Sequence, residues 1–316
     1  MKKVIAVTLA SLSVSLTSVA FAAPVELSGD VSVKLARETA EGSPNISGGI
    51  YTFKLKGETD LGAGWSLYGR LGGQYASKPS LGDFNGDTYG AEKKGVIAFD
   101  QFGVNYKKDQ VVYKLGRQDA TVGATALLYS RSDSNIGKNV FVDGLSASGT
   151  VGAVDVSALF AKEDNMGSED NKIYAIRTGF KASEDLSWGV TLGRYQYNGG
   201  ESTNHWAADG TYKFGKNSVT AEFAKSSSNV DNKAYAASFN YGFNDKTAAY
   251  ITNFRVETNG DMGGQSDFDN DNRGFYYGVT HKLSENQELE LVYKDQKQIS
   301  NGQHNTKVEA TFTHSF

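Results

Sequence analysis

Apolar and polar residues alternate one by one through long stretches of this chain, and no other feature restricts its fold so tightly. From Tyr51, one parity reads Tyr51, Phe53, Leu55 and the other Thr52, Lys54, Lys56, Glu58. Trp65, Leu67 and Leu71 alternate in the same way with Ser66, Tyr68, Arg70 and Gln74. The pattern returns with Tyr235, Ala237, Phe239, Tyr241 and Phe243 against Ala236, Ser238 and Asn240. It closes with Val308, Ala310, Phe312 and Phe316 against Lys307, Glu309, Thr311 and Ser315. Side chains of an extended strand point to opposite faces in turn, so this pattern predicts strands with one apolar and one wet face. A soluble antiparallel sandwich would show it too.

Connection lengths separate the two architectures. Short turns fall near 60–64, 107–110, 149–152, 182–185, 215–217, 244–246 and 284–287. Between them lie longer polar stretches near 38–47, 77–94, 118–137, 163–171, 198–203, 226–231, 257–272 and 297–305. Short and long connections therefore alternate, which puts all turns at one end of a hairpin array and all loops at the other. That is the layout of a transmembrane antiparallel β-barrel, here of about 16 strands. No strand edge is tolerated in hydrocarbon, because nothing there satisfies its N–H and C=O groups. The first strand, 25–35, must then pair with the last, 305–316.

Composition agrees with a barrel that is apolar on its outside only. Glycine (36) and the rings of tyrosine and phenylalanine (17 each) are abundant, yet mean hydropathy is −0.43, too hydrophilic for a chain packed around a large dry core. Cysteine is absent, which excludes a small disulfide-stapled secreted domain. The N-terminus predicts export through the Sec pathway. Lys2 and Lys3 precede a mostly small and apolar run from Val4 to Ala20, and Ala20-Phe21-Ala22 offers a small-x-small cleavage pattern. The expected division is a signal peptide over 1–22 and one barrel domain over 23–316. Losing Lys2 and Lys3 takes the formal charge from −4 to −6, an acidity that argues against nucleic acid as partner.

Aromatic residues cluster at the short-turn ends. Trp65 and Trp188 begin strands just after short turns, and Tyr106, Phe180, Phe214, Tyr241 and Phe243 end strands just before them. All share the apolar parity of their strands, except for uncertainty around 100–102, where a bulge is expected. Rings with one polar end favour the water–lipid boundary, so these seven residues are expected to form a girdle.

The chain resembles the general trimeric porins of Gram-negative outer membranes. The resemblance rests on Val25-Glu26-Leu27-Ser28-Gly29, on Leu55-Lys56-Gly57-Glu58-Thr59, on Leu115-Gly116-Arg117-Gln118, and on the terminal alternation ending at Phe316. Their order and spacing carry it across nearly the whole mature chain; His314 stands where many members have tyrosine. The resemblance implies a homotrimer, insertion by the barrel-assembly machinery reading Phe312 and Phe316, and outer-membrane lipids and lipopolysaccharide as surroundings. It also implies a third loop folded into the lumen, here 118–137 and shorter than in many members.

A channel of this kind sorts solutes by size and by the field at its narrowest section. Lys54, Lys56, Arg70 and Arg177 lie on wet parities and are the expected basic wall. Lys138 and Arg117 join them because they match basic positions of the family. Strict alternation from Tyr113 and Leu115 points Arg117 outward, so a bulge or strand end would have to turn it in. Asp119 and Asp133 are the expected loop carboxylates.

Other chemistry finds little support. Asp267, Asp269 and Asp271 start like a calcium loop, but Asn272 replaces its glycine and Gly278 its final glutamate. Asp83, Asn85 and Asp87 read as another solvated loop. His205, His281, His304 and His314 are scattered without ligand spacing, and no Gly-x-Ser-x-Gly elbow stands beside a helix. Neither a catalytic site, nor a metal, nor a cofactor is expected. The competing readings are a substrate-selective channel or surface adhesin, and a soluble periplasmic β-protein. For a sugar channel the candidate aromatics, Tyr68, Tyr195 and Tyr276, are dispersed.

Overall fold

The computed structural model describes residues 23–84, 92–165 and 170–316. The expected signal peptide lies outside them, as do Asn85 and Asp87. The first strands are β1 (Val25–Ala40), β2 (Ile46–Gly62), β3 (Trp65–Ala76), β4 (Gly95–Lys108) and β5 (Val111–Gln118). Two short ones follow, β6 (Ala120–Val122) and β7 (Tyr129–Arg131). Then come β8 (Val142–Val151), β9 (Val154–Glu163), β10 (Lys172–Lys181), β11 (Leu186–Gln196), β12 (Ser202–Phe214) and β13 (Asn217–Ser226). The last are β14 (Lys233–Gly242), β15 (Thr247–Val256), β16 (Asn272–Ser284), β17 (Gln287–Gln298) and β18 (His304–Ser315).

All but β6 and β7 form one closed antiparallel ring of 16 strands, each paired with its sequence neighbour, β5 with β8. β1 and β18 close it from Asp30 opposite Ser315 to Ala40 opposite Asn305. Phe316 completes the seam by exchanging both backbone hydrogen bonds with Gly29, at 2.9 and 3.0 Å. No described helix is long and apolar enough to cross a membrane.

The period-two pattern becomes two faces. Outward stand Leu27, Leu35, Ile97, Leu115, Leu192 and Leu291, all more than half exposed. Inward stand charged groups or residues covered by loops, such as Glu222 and Ala224, which alternate with the exposed Ala221 and Phe223. The expected bulge is present: Arg70 pairs with Gln101 and Leu71 with Phe99, so Asp100 is the extra residue. As a result Asp100 and Gln101 both turn inward and are buried, while Phe99 and Phe102 both face out and stack at 5.6 Å.

The seven aromatics expected to form a girdle sit at the short-turn ends of their strands. Trp65 stacks on Tyr106 and Phe180 on Trp188, each at 4.5 Å. Phe214 stacks on Phe239 at 6.2 Å, and Tyr241 meets Phe243 edge-on at 4.8 Å. Trp65, Trp188, Phe214, Tyr241 and Phe243 are exposed. Phe312 lies opposite Val33 on one side and Leu289 on the other.

Candidate functional site: charged walls and the segment between them

The segment from Asp119 to Phe141 connects β5 to β8, and it holds the one departure from simple hairpin order. Its β6–β7 hairpin is absent from the sequence expectation, because three-residue strands are too short to show periodicity. Near its start Asp119 accepts from Lys114 at 3.1 Å. At its tip the Thr125 backbone N–H and hydroxyl both donate to Glu222 Oε2, at 2.7 and 2.8 Å. Gly123 permits this approach, since a Cβ there would come within 2.5 Å of Glu222 Oε1. On its return limb Asp133 reaches Lys56 at 3.0 Å, Lys54 at 3.7 Å and Arg70 at 2.9 Å. Burial works against the charged form of Asp133, but the three cations outweigh it and hold its carboxyl below the ordinary range.

Arg70 is the pin beneath that limb. Its guanidinium grips Asp100 through Nε and Nη2, both at 2.8 Å. It also donates to the backbone carbonyls of Asp133 and Asn135, again at 2.8 Å, and lies over the Phe141 ring at 4.7 Å. Asp100 Oδ2 accepts the Gly137 backbone N–H besides. With 1% of its surface exposed, Arg70 faces inward as its parity predicts, yet it is sealed beneath the segment and presents nothing to solvent.

A second connection braces the first. In the loop 257–271, Met262 N–H donates to the Leu128 carbonyl, and Asp267 N–H to that of Ala126. The Ser130 N–H donates in turn to the Gln265 carbonyl. The loop thus runs beside β7. Leu127, Leu128, Tyr129, Met262 and Phe268 pack with the small inward residues Ala207, Ala224 and Ala234, all buried. Asp261 is buried in this loop, and burial pushes its carboxyl up to about 6 against donors from Ser266, Asn270 and Gly264. The described parts of the supposed calcium loop are likewise spent on protein partners: Asp269 takes Gln296, and Asp271 takes Gln298 and Ser300. Among the described residues no group of His, Cys, Asp and Glu could hold a metal ion.

The remaining expected residues are dispersed. Arg177 forms a two-pronged pair with Asp209, at 2.9 and 2.7 Å. Lys138 is exposed on the return limb. Arg117 departs from expectation. Pairing of β5 with β8 is unbroken through Gln118, so no irregularity turns Arg117 in. It stays on the outward parity of Leu115, paired with Asp143 and Asp164 and lying over the outward Phe102 ring. Of the tyrosines considered for a sugar track, Tyr195 bonds to Glu163 and Tyr276 to Gln296, both buried. They line no open path.

Sequence reasoning missed a second charged wall, on β1, β17 and β18. Lys34, Lys294 and Lys307 surround Glu309, at 3.9, 4.0 and 3.3 Å. Lys307 also pairs with Glu38 at 2.8 Å and Lys34 with Asp83 at 3.3 Å. These lysines are 25–29% exposed, so they still meet solvent. Wet parity had placed Lys307 and Glu309 on this face. Only the closure of β18 on β1, with β17 on its other side, assembles the cluster.

Two cavities flank the segment. One of about 620 Å³ is lined by Ser146, Arg177 and Thr191, and one of about 590 Å³ by Lys56, Tyr68 and Asp133. Lys114 and Asp119 line both.

No protein-family model matches the chain, and no curated protein matches it in sequence. Solved structures do match. Two engineered triple mutants of the porin from Rhodopseudomonas blastica superpose with a TM-score of 0.60 at 12% identity, over 93% of this chain and 100% of theirs. A further mutant of that porin superposes at 0.59 with 13% identity over the same shares. At such identity the likeness is one of architecture: the chain has the closed 16-strand antiparallel barrel fold of a porin.

Proposed function

We propose that this chain is an outer-membrane porin that lets small hydrophilic solutes and ions diffuse through a water-filled lumen. One observation carries the reading. The barrel is apolar outside and charged inside, and a single segment bonds to inward side chains on opposite walls. Arg70 and Glu222 belong to β3 and β13, which stand halfway round the ring. Each lies five residues in from the short-turn end of its strand. A segment bonded to both at mid-height supports the reading that it is an inward-folded third connection with a narrowed passage beside it. The passage lies between that segment and the Lys34, Lys294 and Lys307 wall, where opposed charges set the field met by a permeating ion.

The fuller picture follows from this reading. Export uses the signal peptide and the Sec route. The barrel-assembly machinery recognises the strand ending in Phe312 and Phe316, and the seven girdle aromatics mark the periplasmic lipid boundary. Three copies assemble through the outward face of β1–β4. Apolar hollows there, of about 340 and 680 Å³, are floored by Gly57, Gly69 and Gly73, so a neighbouring surface could approach closely. Purified protein in a planar bilayer should give stepwise conductance in threefold events, with flux falling as solute size rises. A folded barrel that inserts but carries no current would refute the channel.

A further inference from the structure

Inward positions of a water-filled barrel are expected to be polar, yet over eight consecutive strands many are not. In the long-loop halves of β9 to β16 they include Ala161, Ala175, Ala207, Ala224, Phe254 and Tyr276, all buried. Toward the short-turn end the same face turns polar, with Ser157 opposite Arg177, and Thr220 between Thr211 and Ser238. Methyl groups facing water gain nothing, whereas a wall of small apolar residues accepts a dry body packed against it. The loop 257–271 supplies that body together with the β6–β7 hairpin. It leaves β15, yet Met262 reaches β11, four strands away, where a Cβ on Gly193 would overlap the Met262 methyl group. Gly263, at φ +70°, lies against the Tyr195 hydroxyl, where a side chain would collide. Gln265 ties the loop to β9 and to the hairpin at once. Its amide donates to the buried Glu163 at 3.0 Å, and its oxygen accepts from Arg131 at 2.8 Å.

We propose that the 257–271 loop is a fixed stopper that closes the β9–β16 half of the lumen to solutes, with Met262 as its seating residue. Permeation is then confined to the sector of β17, β18, β1 and β2, where Lys34, Lys294 and Lys307 keep contact with solvent. The recess of about 620 Å³ becomes a blind chamber. Residues 120–124 line it on one side, and two of them, Ala120 and Val122, belong to the dry cluster that the stopper completes. Ser146, Ser148, Ser157 and Thr211 line it elsewhere, so it holds water without carrying flux. The inference rests on the channel reading and names the residues that set how much of the barrel conducts.

The absence of cysteine from the chain makes the test direct. In planar bilayers, Ser157→Cys places one thiol in the recess, and Lys294→Cys places one on the open wall. Attachment of a bulky sulfonated thiol reagent, confirmed by mass, should leave the Ser157→Cys current nearly unchanged. The same label should cut the Lys294→Cys current about twofold or more. Equal loss at both positions would overturn the proposal, because the recess would then carry flux. Replacing 259–269 with a short glycine–serine turn should about double the conductance, since the dry cluster covers eight of the sixteen strands. It should also admit larger neutral polymers and turn the Ser157→Cys label into a blocker. Met262→Asp, which puts an unpartnered charge into the dry cluster, should act in the same direction, and Met262→Leu should not. A loop-replaced chain with the parent's conductance and polymer exclusion would overturn the stopper as well. Should that chain fail to insert, labelling at Ser157→Cys with the loop in place decides alone. Absence of current from every chain before labelling would refute the channel itself, whereas block from the recess refutes only the stopper.

Discussion

Two basic walls face the lumen, and they are built for opposite ends. On β2 and β3, Arg70 is locked by Asp100, Asp133 and two carbonyls until 1% of it remains exposed. On β1, β17 and β18, three lysines share Glu309 and keep about a quarter of their surface in solvent. Both are inward cations on wet parities, and nothing local distinguishes them. The difference is what lies on top. The return limb of the 119–141 segment covers Arg70 and most of Lys54 on the first wall, converting their charge into an anchor, and leaves Lys56 exposed beside it. The second stays open, so its charge remains exposed to solvent. A buried cation with its acceptors satisfied exerts little outside field, whereas a solvent-facing one is felt within a Debye length.

The contrast breaks most easily at the anchor. Asp100→Asn removes the buried carboxylate that grips Arg70 through two bonds and leaves only the partly exposed Asp133 beside the guanidinium, a change that costs up to about 3–5 kcal/mol at such sites. Unfolding of the detergent-solubilised barrel by heat or urea should register the loss, and single-channel records should become noisy as the segment detaches. A variant as stable and quiet as the parent would mean the segment is held elsewhere.

Next in size is the effect on ion selectivity. Lys34→Gln/Lys294→Gln/Lys307→Gln should move the reversal potential in a salt gradient toward cations, and Glu309→Gln should move it toward anions. Arg70→Met should shift it less than the lysine triple while destabilising more. If Arg70→Met moved selectivity furthest, the assignment of the two walls would be reversed.

The smallest expected effect is a pH dependence of the bracing loop. Burial raises the Asp261 carboxyl to about 6 from an ordinary value near 3.8, so the folded loop holds its proton more tightly than the open one. Its contribution is greatest below the ordinary value and declines as pH rises through about 6. The lowered Asp133 has the opposite sign: its ion pairs persist above the ordinary range and are lost only as pH falls through the depressed value. Protection factors of amides 257–271, which divide out the intrinsic rise of exchange with pH, should therefore fall between about pH 4 and pH 6, and Asp261→Asn should flatten that response. A parent profile already flat would remove the role given to Asp261.

Much of this was legible residue by residue. Tyr51, Phe53 and Leu55 against Lys54 and Lys56 gave β2 its faces, and the disturbed parity around Asp100 marked the bulge. Asp119 and Asp133 both read from sequence as loop carboxylates; Asp133 meets Lys54, Lys56 and Arg70 as a single counter-ion, whereas Asp119 pairs with Lys114 five residues away. Arg117 was misplaced because resemblance overrode its parity. The lysine wall escaped notice because Lys34 and Lys307 are far apart in sequence and meet only at the seam.

Taken alone, the sequence determined which side chains face out and which face in, how many strands the ring needs, and where its turns and loops lie. Those follow from a two-residue repeat and from the impossibility of leaving strand edges open in hydrocarbon. Only the tertiary structure decided which inward charges are covered and which are free. That depends on where one long connection and its brace come to rest, through contacts such as Thr125 with Glu222 that span nearly a hundred residues. No periodicity encodes such a contact, because each of its partners is one polar residue among many on a wet face.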